Sequence, residues 1–226
     1  MKIHSIAFDL DDTLLDTTRL LSPMASQAAF CILQDHGLKL GLDECEKLRQ
    51  EWVKTISHKD FFKKLAIEYG TDKTLKSLDL ANKAFYYPVI PSELPLLPEA
   101  LNNLEILQSK YDLFLVTAGL EDAQMAKIKS LNISHFFKKI FIVDSFRQKR
   151  KFDAFSAILA ENNIQPENLL CIGNSLSSEI KDARLIGAWA CYFAFGEDRG
   201  SYPTDPLLQP HFTVSNHSEL IKTCQI

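Results

Sequence analysis

The stretch that decides the fold is HSIAFDLDDTLLDTT, residues 4–18, in which a short apolar run ends abruptly in Asp9, Asp11 and Asp12. The apolar run is typical of a buried strand. Carboxylates placed this close repel one another, and burying them is costly unless a cation compensates their charge. The stretch therefore indicates either a solvated turn with an acidic edge or a site that holds a metal ion and uses one carboxylate as a reagent.

Similar short segments, rich in β-branched, aromatic or leucine residues, recur along the chain and predict buried strands. The predicted strands are 4–10, 111–118, 139–144, 168–174 and 190–195, with a weaker one at 211–215. Stretches with helical spacing, such as 97–110 and 151–163, lie between most of them. Strands that alternate with helices of this length favour parallel pairing, so the sequence predicts a layered α/β fold.

The region from about 17 to 90 interrupts this alternation and contains no convincing strand. Its helix-like stretches are 24–37, 42–56, 59–70 and 73–87. A proline-punctuated segment, 86–98, reads as the return linker. The sequence thus predicts a helical domain at 17–91, inserted into an α/β core made of 1–16 and 92–226.

The charge and composition of the chain limit the kinds of partner that we expect it to bind. The chain has 226 residues and a formal net charge of −4, so no basic field attracts nucleic acid or an anionic membrane surface. No apolar stretch is long enough to span a bilayer, and the N-terminus reaches Asp9 before a signal-peptide core can form. The five cysteines show no zinc or redox spacing, which favours reduced thiols. We expect a cytoplasmic protein without nucleic-acid or membrane partners; the oligomeric state is left open.

Polar residues follow the predicted strands at the edge where ligands gather in open parallel sheets. Thr117 ends the second strand, and Gly173 and Asn174 end the fourth. A basic run, RQKRK at 147–151, precedes the helix between the third and fourth strands. Together with the acids that follow the first strand, these residues would place carboxylates, hydroxyls and lysines on one rim.

In this order and spacing the motifs resemble the haloacid dehalogenase (HAD) superfamily, in its phosphatase-like branch. Those motifs are Asp-x-Asp-x-Thr after a strand, a Ser or Thr closing the next core strand, a lysine ahead of a helix, and an acidic loop. The matching residues are, in chain order, Asp9, Asp11 and Thr13, then Thr117, then Lys149 or Lys151, then Asn174 and Glu179. The resemblance implies a Rossmann-like parallel sheet core with an inserted all-α cap domain.

The resemblance also implies a chemistry that explains the residue types. A phosphate monoester and an attacking carboxylate repel each other by about 4 kcal/mol per pair of unit charges at 4 Å and an effective dielectric near 20. Mg²⁺ and a lysine remove that penalty. Asp9 would then attack phosphorus and become a transient aspartyl-phosphate, and Asp11 would protonate the leaving oxygen and later deprotonate water. The implied function is Mg²⁺-dependent hydrolysis of a small phosphorylated metabolite.

The remaining roles follow from the same resemblance. Substrate contacts are expected from Thr13, Thr117, Ala118 and Gly119. The metal ligands are expected to be Asp9, the backbone carbonyl of Asp11, Asn174 and Glu179. The motif lysine is Lys149 or Lys151: Lys149 fits the usual spacing to Gly173 better and is placed first, while Lys151 lies nearer the helix.

Two residues depart from the usual pattern. Many relatives have aspartate where Asn174 and Glu179 stand, so we expect weaker or retuned metal binding. The departure keeps open a HAD-like protein that binds a phosphorylated ligand without turnover. A phosphosugar mutase is the alternative within the enzyme class. Asp11 argues against a dehalogenase, because a halide leaves unprotonated.

Overall fold

A computed structural model of the protein describes residues 2–144, 149–197 and 200–226. Two residues of the predicted basic run, at 147 and 148, lie outside these ranges. The chain divides into two compact units, one formed by Met1–Thr17 with Ile90–Ile226 and the other by Thr18–Val89. The predicted boundaries differ from this division by one or two residues, and the roles of core and cap stay predictions.

The larger unit is built on a six-stranded sheet in the order β3-β2-β1-β4-β5-β6, with every pair parallel. The strands are β1 (Ser5–Phe8), β2 (Asp112–Ala118), β3 (Lys139–Val143), β4 (Leu169–Gly173), β5 (Trp189–Phe193) and β6 (Phe212–Val214). β1, the strand of the opening stretch, lies between β2 and β4, and all four of its residues are buried. The predicted α/β fold with a parallel sheet is confirmed.

Helices fill the connections between the strands and the whole insertion after β1. They are α1 (Thr17–Leu20), α2 (Ser22–Asp35), α3 (Leu42–Trp52), α4 (His58–Tyr69), α5 (Asp72–Lys76), α6 (Leu78–Tyr86), α7 (Ala100–Gln108), α8 (Glu121–Leu131), α9 (Lys151–Asn162), α10 (Lys181–Leu185) and α11 (His217–Cys224). A single π-helical turn, Leu176–Ile180, leads from β4 into α10. No helix among the described residues is both long and apolar enough to cross a bilayer.

The sheet is covered by apolar faces of the helices. One buried cluster joins Phe114 of β2 and Cys171 of β4 to Phe155 and Ile158 of α9. These residues come from the alternation that predicted strands and helices, because parallel strands are apolar on both faces. The core therefore fixes where each strand ends, and so where the polar rim lies.

The smaller unit has its own core of aromatic side chains. Phe30 of α2 packs edge-to-face on Phe61 and Phe62 of α4, with ring centroids 6.1 and 6.0 Å apart. Arg49 of α3 is buried beside this core and forms two hydrogen bonds, of 2.8 and 2.7 Å, with the Glu46 carboxylate. The paired carboxylate makes burial of the guanidinium tolerable.

Candidate active site

The loop after β1 is a compact turn that fixes the position of Asp9. The carbonyl of Leu10 accepts hydrogen bonds from the backbone N–H groups of Thr13, Leu14 and Leu15, at 3.3, 2.9 and 3.0 Å. The Asp9 N–H donates to the carbonyl of Ile172 at 2.9 Å, which extends the ladder with β4 by one residue. Only 5% of Asp9 is exposed. The first acid of the opening stretch is therefore held at the end of a buried strand rather than in solvent.

Lys151 at the start of α9 pairs with this carboxylate. Its Nζ lies 2.5 Å from Asp9 Oδ1 and also contacts Glu179 Oε1, and 3% of the lysine is exposed. Glu179 accepts a further hydrogen bond from the Ser175 N–H at 2.8 Å. The approach of Glu179 depends on Gly173, because a Cβ there would lie 2.4 Å from Glu179 Cγ. One buried ammonium thus joins the ends of β1 and β4.

The structure separates the two candidate lysines. Lys149, which spacing placed first, is exposed, whereas Lys151 enters the acidic cluster, formed by Asp9, Asp11 and Glu179. The physical reason is helix geometry: Lys151 is the first residue of α9, so its side chain reaches the strand ends, and Lys149 precedes the helix. The structure thus brings Lys151, and not Lys149, to Asp9, and the role of Lys151 as the motif lysine stays a prediction.

Asp11 is held by a helix that the sequence patterns do not reveal. Lys127 Nζ donates to its Oδ1 at 2.7 Å, Gln124 Nε2 donates to its Oδ2 at 2.8 Å, and the Thr17 hydroxyl also donates to Oδ1. Gln124 and Lys127 belong to α8 and are both buried. The buried face of α8 mixes these two polar residues with Ala123, Ile128 and Leu131, so the apolar periodicity of the helix is weak. The signal that could identify Gln124 and Lys127 is their i, i+3 spacing on a helix that begins at Glu121, shortly after Thr117.

The electrostatics of the two aspartates differ. Burial raises the pKa of Asp9, and the Glu179 and Asp11 carboxylates add to the rise against the opposing effect of Lys151, so that it reaches about 8. For Asp11, burial is outweighed by the Lys127 ammonium and by hydrogen bonds from Lys127, Thr17 and Gln124, which lower its pKa. Burial opposes the charge of Lys151, but Asp9 and Glu179 raise its pKa above the ordinary value.

The residues predicted to contact the substrate differ in which of their polar groups are already hydrogen-bonded within the fold. The Thr117 hydroxyl lies on the rim, 2.5 Å from Gln124 Nε2. The Ala118 carbonyl accepts from Gln124 at 3.1 Å, and the Gly119 N–H donates to the Val143 carbonyl at 3.0 Å, so both groups are already engaged within the fold. The Thr13 hydroxyl is fully buried and has no partner among the described residues. Thr117 is fully buried as well, and its contact with a substrate stays a prediction.

The predicted metal ligands form an incomplete set of acids. Within residues 2–144, 149–197 and 200–226, no group of three His, Cys, Asp or Glu side chains is spaced to hold an ion. Glu179 is occupied by Lys151 and the Asp11 carboxylate by α8. The Asn174 Nδ2 donates to the carbonyl of Phe195 at 3.3 Å, which leaves its Oδ1 as a neutral oxygen donor. Oxygen donors of this kind suit Mg²⁺.

The cluster also carries more negative than positive charge. With all three acids ionised, the carboxylates of Asp9, Asp11 and Glu179 face only the ammonium groups of Lys127 and Lys151, which leaves one negative charge. The raised pKa of Asp9, about 8, means that without a further cation this acid takes up a proton near neutral pH and so removes the excess charge. A cation bound near Asp9 would compensate it. The residues present therefore fit a hard divalent cation held by Asp9 together with neutral oxygens, rather than by a cage of carboxylates.

Comparison with known proteins identifies the family of the chain. Residues 6–191 match the model of the haloacid dehalogenase-like hydrolases. The chain belongs to this family. The match covers β1 to β5 and so includes every residue of the acidic cluster. The predicted HAD relationship, its phosphatase-like branch and the hydrolase class are confirmed.

Two named relatives of this HAD chain are phosphatases. A glyceraldehyde 3-phosphate phosphatase from Methanothermobacter thermautotrophicus is 29% identical over 190 residues, covering 82% of this chain and 83% of the relative. A phosphoglycolate phosphatase from Photorhabdus laumondii is 25% identical over 228 residues, covering 98% and 92%. The fold matches that of Bacillus subtilis YfnB, solved bound to magnesium, with a TM-score of 0.69, 20% identity and 98% of each chain covered.

Proposed function

We propose that the chain is a Mg²⁺-dependent phosphomonoester hydrolase that acts through an aspartyl-phosphate on a small phosphorylated metabolite. The observation that carries the proposal is the buried Asp9 carboxylate, held at the end of β1 by Lys151. A nucleophile fixed beside Lys151 suits in-line attack on an anionic ester, because its orientation and part of the charge compensation are in place before the substrate arrives, and a bound Mg²⁺ would supply the rest.

The chain's own residues divide the reaction between them. An oxygen of Asp9 forms a bond to phosphorus as the bond to the leaving alcohol breaks, and Asp11 supplies the proton to that alcohol. Water then attacks the phosphorus of the acyl phosphate, Asp11 takes its proton, and Asp9 and orthophosphate are released. The lowered pKa of Asp11 keeps this carboxylate ionised, as the second role requires, although it also makes Asp11 a weaker base. The first requires Asp11 to turn from Lys127 and take up a proton as substrate binds.

The remaining cluster residues hold charge and position. Lys151 and the Thr117 hydroxyl would contact phosphoryl oxygens. Asp9, the Asp11 backbone carbonyl and Asn174 would hold Mg²⁺, with Glu179 beside them; the ion supplies the charge compensation that lets two anions approach. The magnesium found with the Bacillus subtilis relative supports this assignment.

The named relatives support hydrolysis over transfer within the substrate. Both glyceraldehyde 3-phosphate and phosphoglycolate, the substrates in the relatives' names, are short phosphorylated carbon chains. We propose a substrate of this size.

The test is release of orthophosphate by the purified chain from glyceraldehyde 3-phosphate, phosphoglycolate and other phosphoesters, with Mg²⁺ and with EDTA. We expect phosphate release in the presence of Mg²⁺ and none in the presence of EDTA. Asp9→Asn is the matched variant, since it keeps the size of the side chain and removes the nucleophile, and it should abolish turnover while urea unfolding shows a folded protein. Absence of phosphate release from every ester, or full activity of Asp9→Asn, would overturn the proposal.

A further inference from the structure

We propose that Gln124 is a positioning residue that turns the Thr117 hydroxyl into a hydrogen-bond donor for the phosphoryl group. This inference rests on the proposed function, since it concerns how that site binds phosphate. Gln124 lies on α8, 2% exposed, and its side chain reaches β2 and the loop after β1 at once. It belongs to none of the four motifs that the sequence reveals.

The identity of the contacting atom follows from its neighbours. One terminal atom of the Gln124 side chain lies 3.1 Å from the Ala118 carbonyl and 2.8 Å from Asp11 Oδ2. A carbonyl oxygen and an ionised carboxylate only accept hydrogen bonds, so the atom between them must be the amide nitrogen. The orientation of the Gln124 amide is therefore fixed by two acceptors that do not involve Thr117.

The same nitrogen lies 2.5 Å from Thr117 Oγ1. An amide nitrogen is not an acceptor, so the hydroxyl cannot direct its hydrogen at Gln124 and acts as the acceptor in this contact. Because the –NH₂ group has two hydrogens for three acceptors, one of these hydrogens is shared between two of them. The hydroxyl hydrogen then points away from Gln124. Within the described parts of the chain, Gln124 is the one hydrogen-bond partner of this hydroxyl, and an incoming phosphoryl oxygen would supply the missing acceptor.

Gly119 provides the space for this arrangement. Its φ is +150°, and a Cβ there would lie 3.1 Å from Gln124 Cγ and 3.2 Å from Cδ. Those distances are tighter than ordinary van der Waals contact, so a larger residue would push the Gln124 amide from its place. The Gly119 that follows β2, expected to bind substrate, thus contributes by admitting Gln124.

The experiment measures competitive inhibition by orthophosphate in the Mg²⁺-loaded enzyme, because phosphate probes the phosphoryl site without a proton-transfer step. Gln124→Met keeps the length of the side chain and removes the donor without adding a charge. We expect the inhibition constant to rise about tenfold for Gln124→Met, the equivalent of one hydrogen bond.

Coupling to Thr117 distinguishes positioning from a structural role. In a Thr117→Val background, which has no hydroxyl to orient, Gln124→Met should change the inhibition constant by less than about twofold. In a Thr117→Ser background, which keeps the hydroxyl, the full effect should return. Equal effects of Gln124→Met in the Thr117→Val and wild-type backgrounds would overturn the inference, as would an unchanged constant in the wild type. Absence of activity in the unmodified enzyme would instead refute the proposed function.

Discussion

Replacing Lys151 by methionine removes the one ammonium that joins Asp9 and Glu179, while keeping an unbranched side chain of similar length. The Nζ–Oδ1 distance to Asp9 is 2.5 Å, which corresponds to about 7 kcal/mol of attraction at an effective dielectric of 20. Desolvation of the buried charges offsets part of this. Because the substitution leaves two carboxylates buried without their partner, we expect the free energy of unfolding to fall by about 3–5 kcal/mol.

Lys151→Met should also lower the rate of turnover, independently of its effect on stability. A unit positive charge about 4 Å from the transferring phosphoryl group contributes about 4 kcal/mol at the same dielectric. Its loss corresponds to a fall in kcat/KM of about three decades. Urea unfolding at low temperature measures the first quantity, and phosphate release under conditions where the variant is folded measures the second.

Lys149→Met is the matched control, since Lys149 is two residues away and exposed. Its effect on the free energy of unfolding should stay within about 0.5 kcal/mol, with kcat/KM nearly unchanged. A reversed pattern, in which Lys149→Met is inactive and Lys151→Met retains activity, would refute the assignment of Lys151.

Further predictions concern the fourth motif and the helical unit. Gly173→Ala places a Cβ 2.4 Å from Glu179 Cγ and should lower the free energy of unfolding by about 1–3 kcal/mol. Gly41→Ala is the control, since its Cβ would lie 3.4 Å from the nearest atom, and it should cost less than about 1 kcal/mol. Urea titration compares the two variants, and equal losses of stability would contradict the close packing of Glu179 on Gly173. Asn174→Asp adds a charged ligand and should tighten Mg²⁺ binding at least about tenfold by calorimetry; unchanged affinity would remove Asn174 from the ligand set. Burial and the nearby Arg49 guanidinium lower the pKa of His58 to about 4, so the unfolded chain binds a proton near pH 6.5 and the folded chain only near pH 4. The folded state therefore loses stability as the pH falls from 6.5 to 4. Between pH 8 and pH 5, the free energy of unfolding of His58→Gln should fall by about 2 kcal/mol less than that of the wild type. Equal losses of the two proteins in urea unfolding would contradict this pKa shift.

The sequence predicts the sheet because its central strands, such as β1 and β4, are buried on both faces, whereas the edge strands β3 and β6 are partly exposed. Each predicted strand is rich in apolar residues, and each is present in the structure within about two residues at either end. The order of motifs along the chain then suffices to place Asp9, Thr117 and Asn174 at strand ends. Local pattern and the rule that ligands gather at one edge of a parallel sheet are enough for this part.

The rest depends on tertiary contacts that no local pattern encodes. Helix α8 is not among the predicted helices because Gln124 and Lys127 lie among the apolar residues of its buried face and interrupt the apolar stripe that an amphipathic helix shows. The choice between Lys149 and Lys151 depends on where α9 begins, and helix ends are the least certain part of a sequence prediction. The engagement of the Gly119 N–H by Val143 requires the pairing of β2 with β3, which the sequence does not specify.

The central claim is that Asp9 attacks phosphorus and carries the phosphoryl group. The most direct measurement is acid quenching of the Mg²⁺-loaded enzyme during turnover of a substrate with a radiolabelled phosphoryl group, followed by peptide mapping. We predict an acid-stable, alkali-labile label on the peptide that contains Asp9, and none in Asp9→Asn. A turning-over enzyme that carries its label on another residue, or one that remains unlabelled at every quench time, would contradict the account.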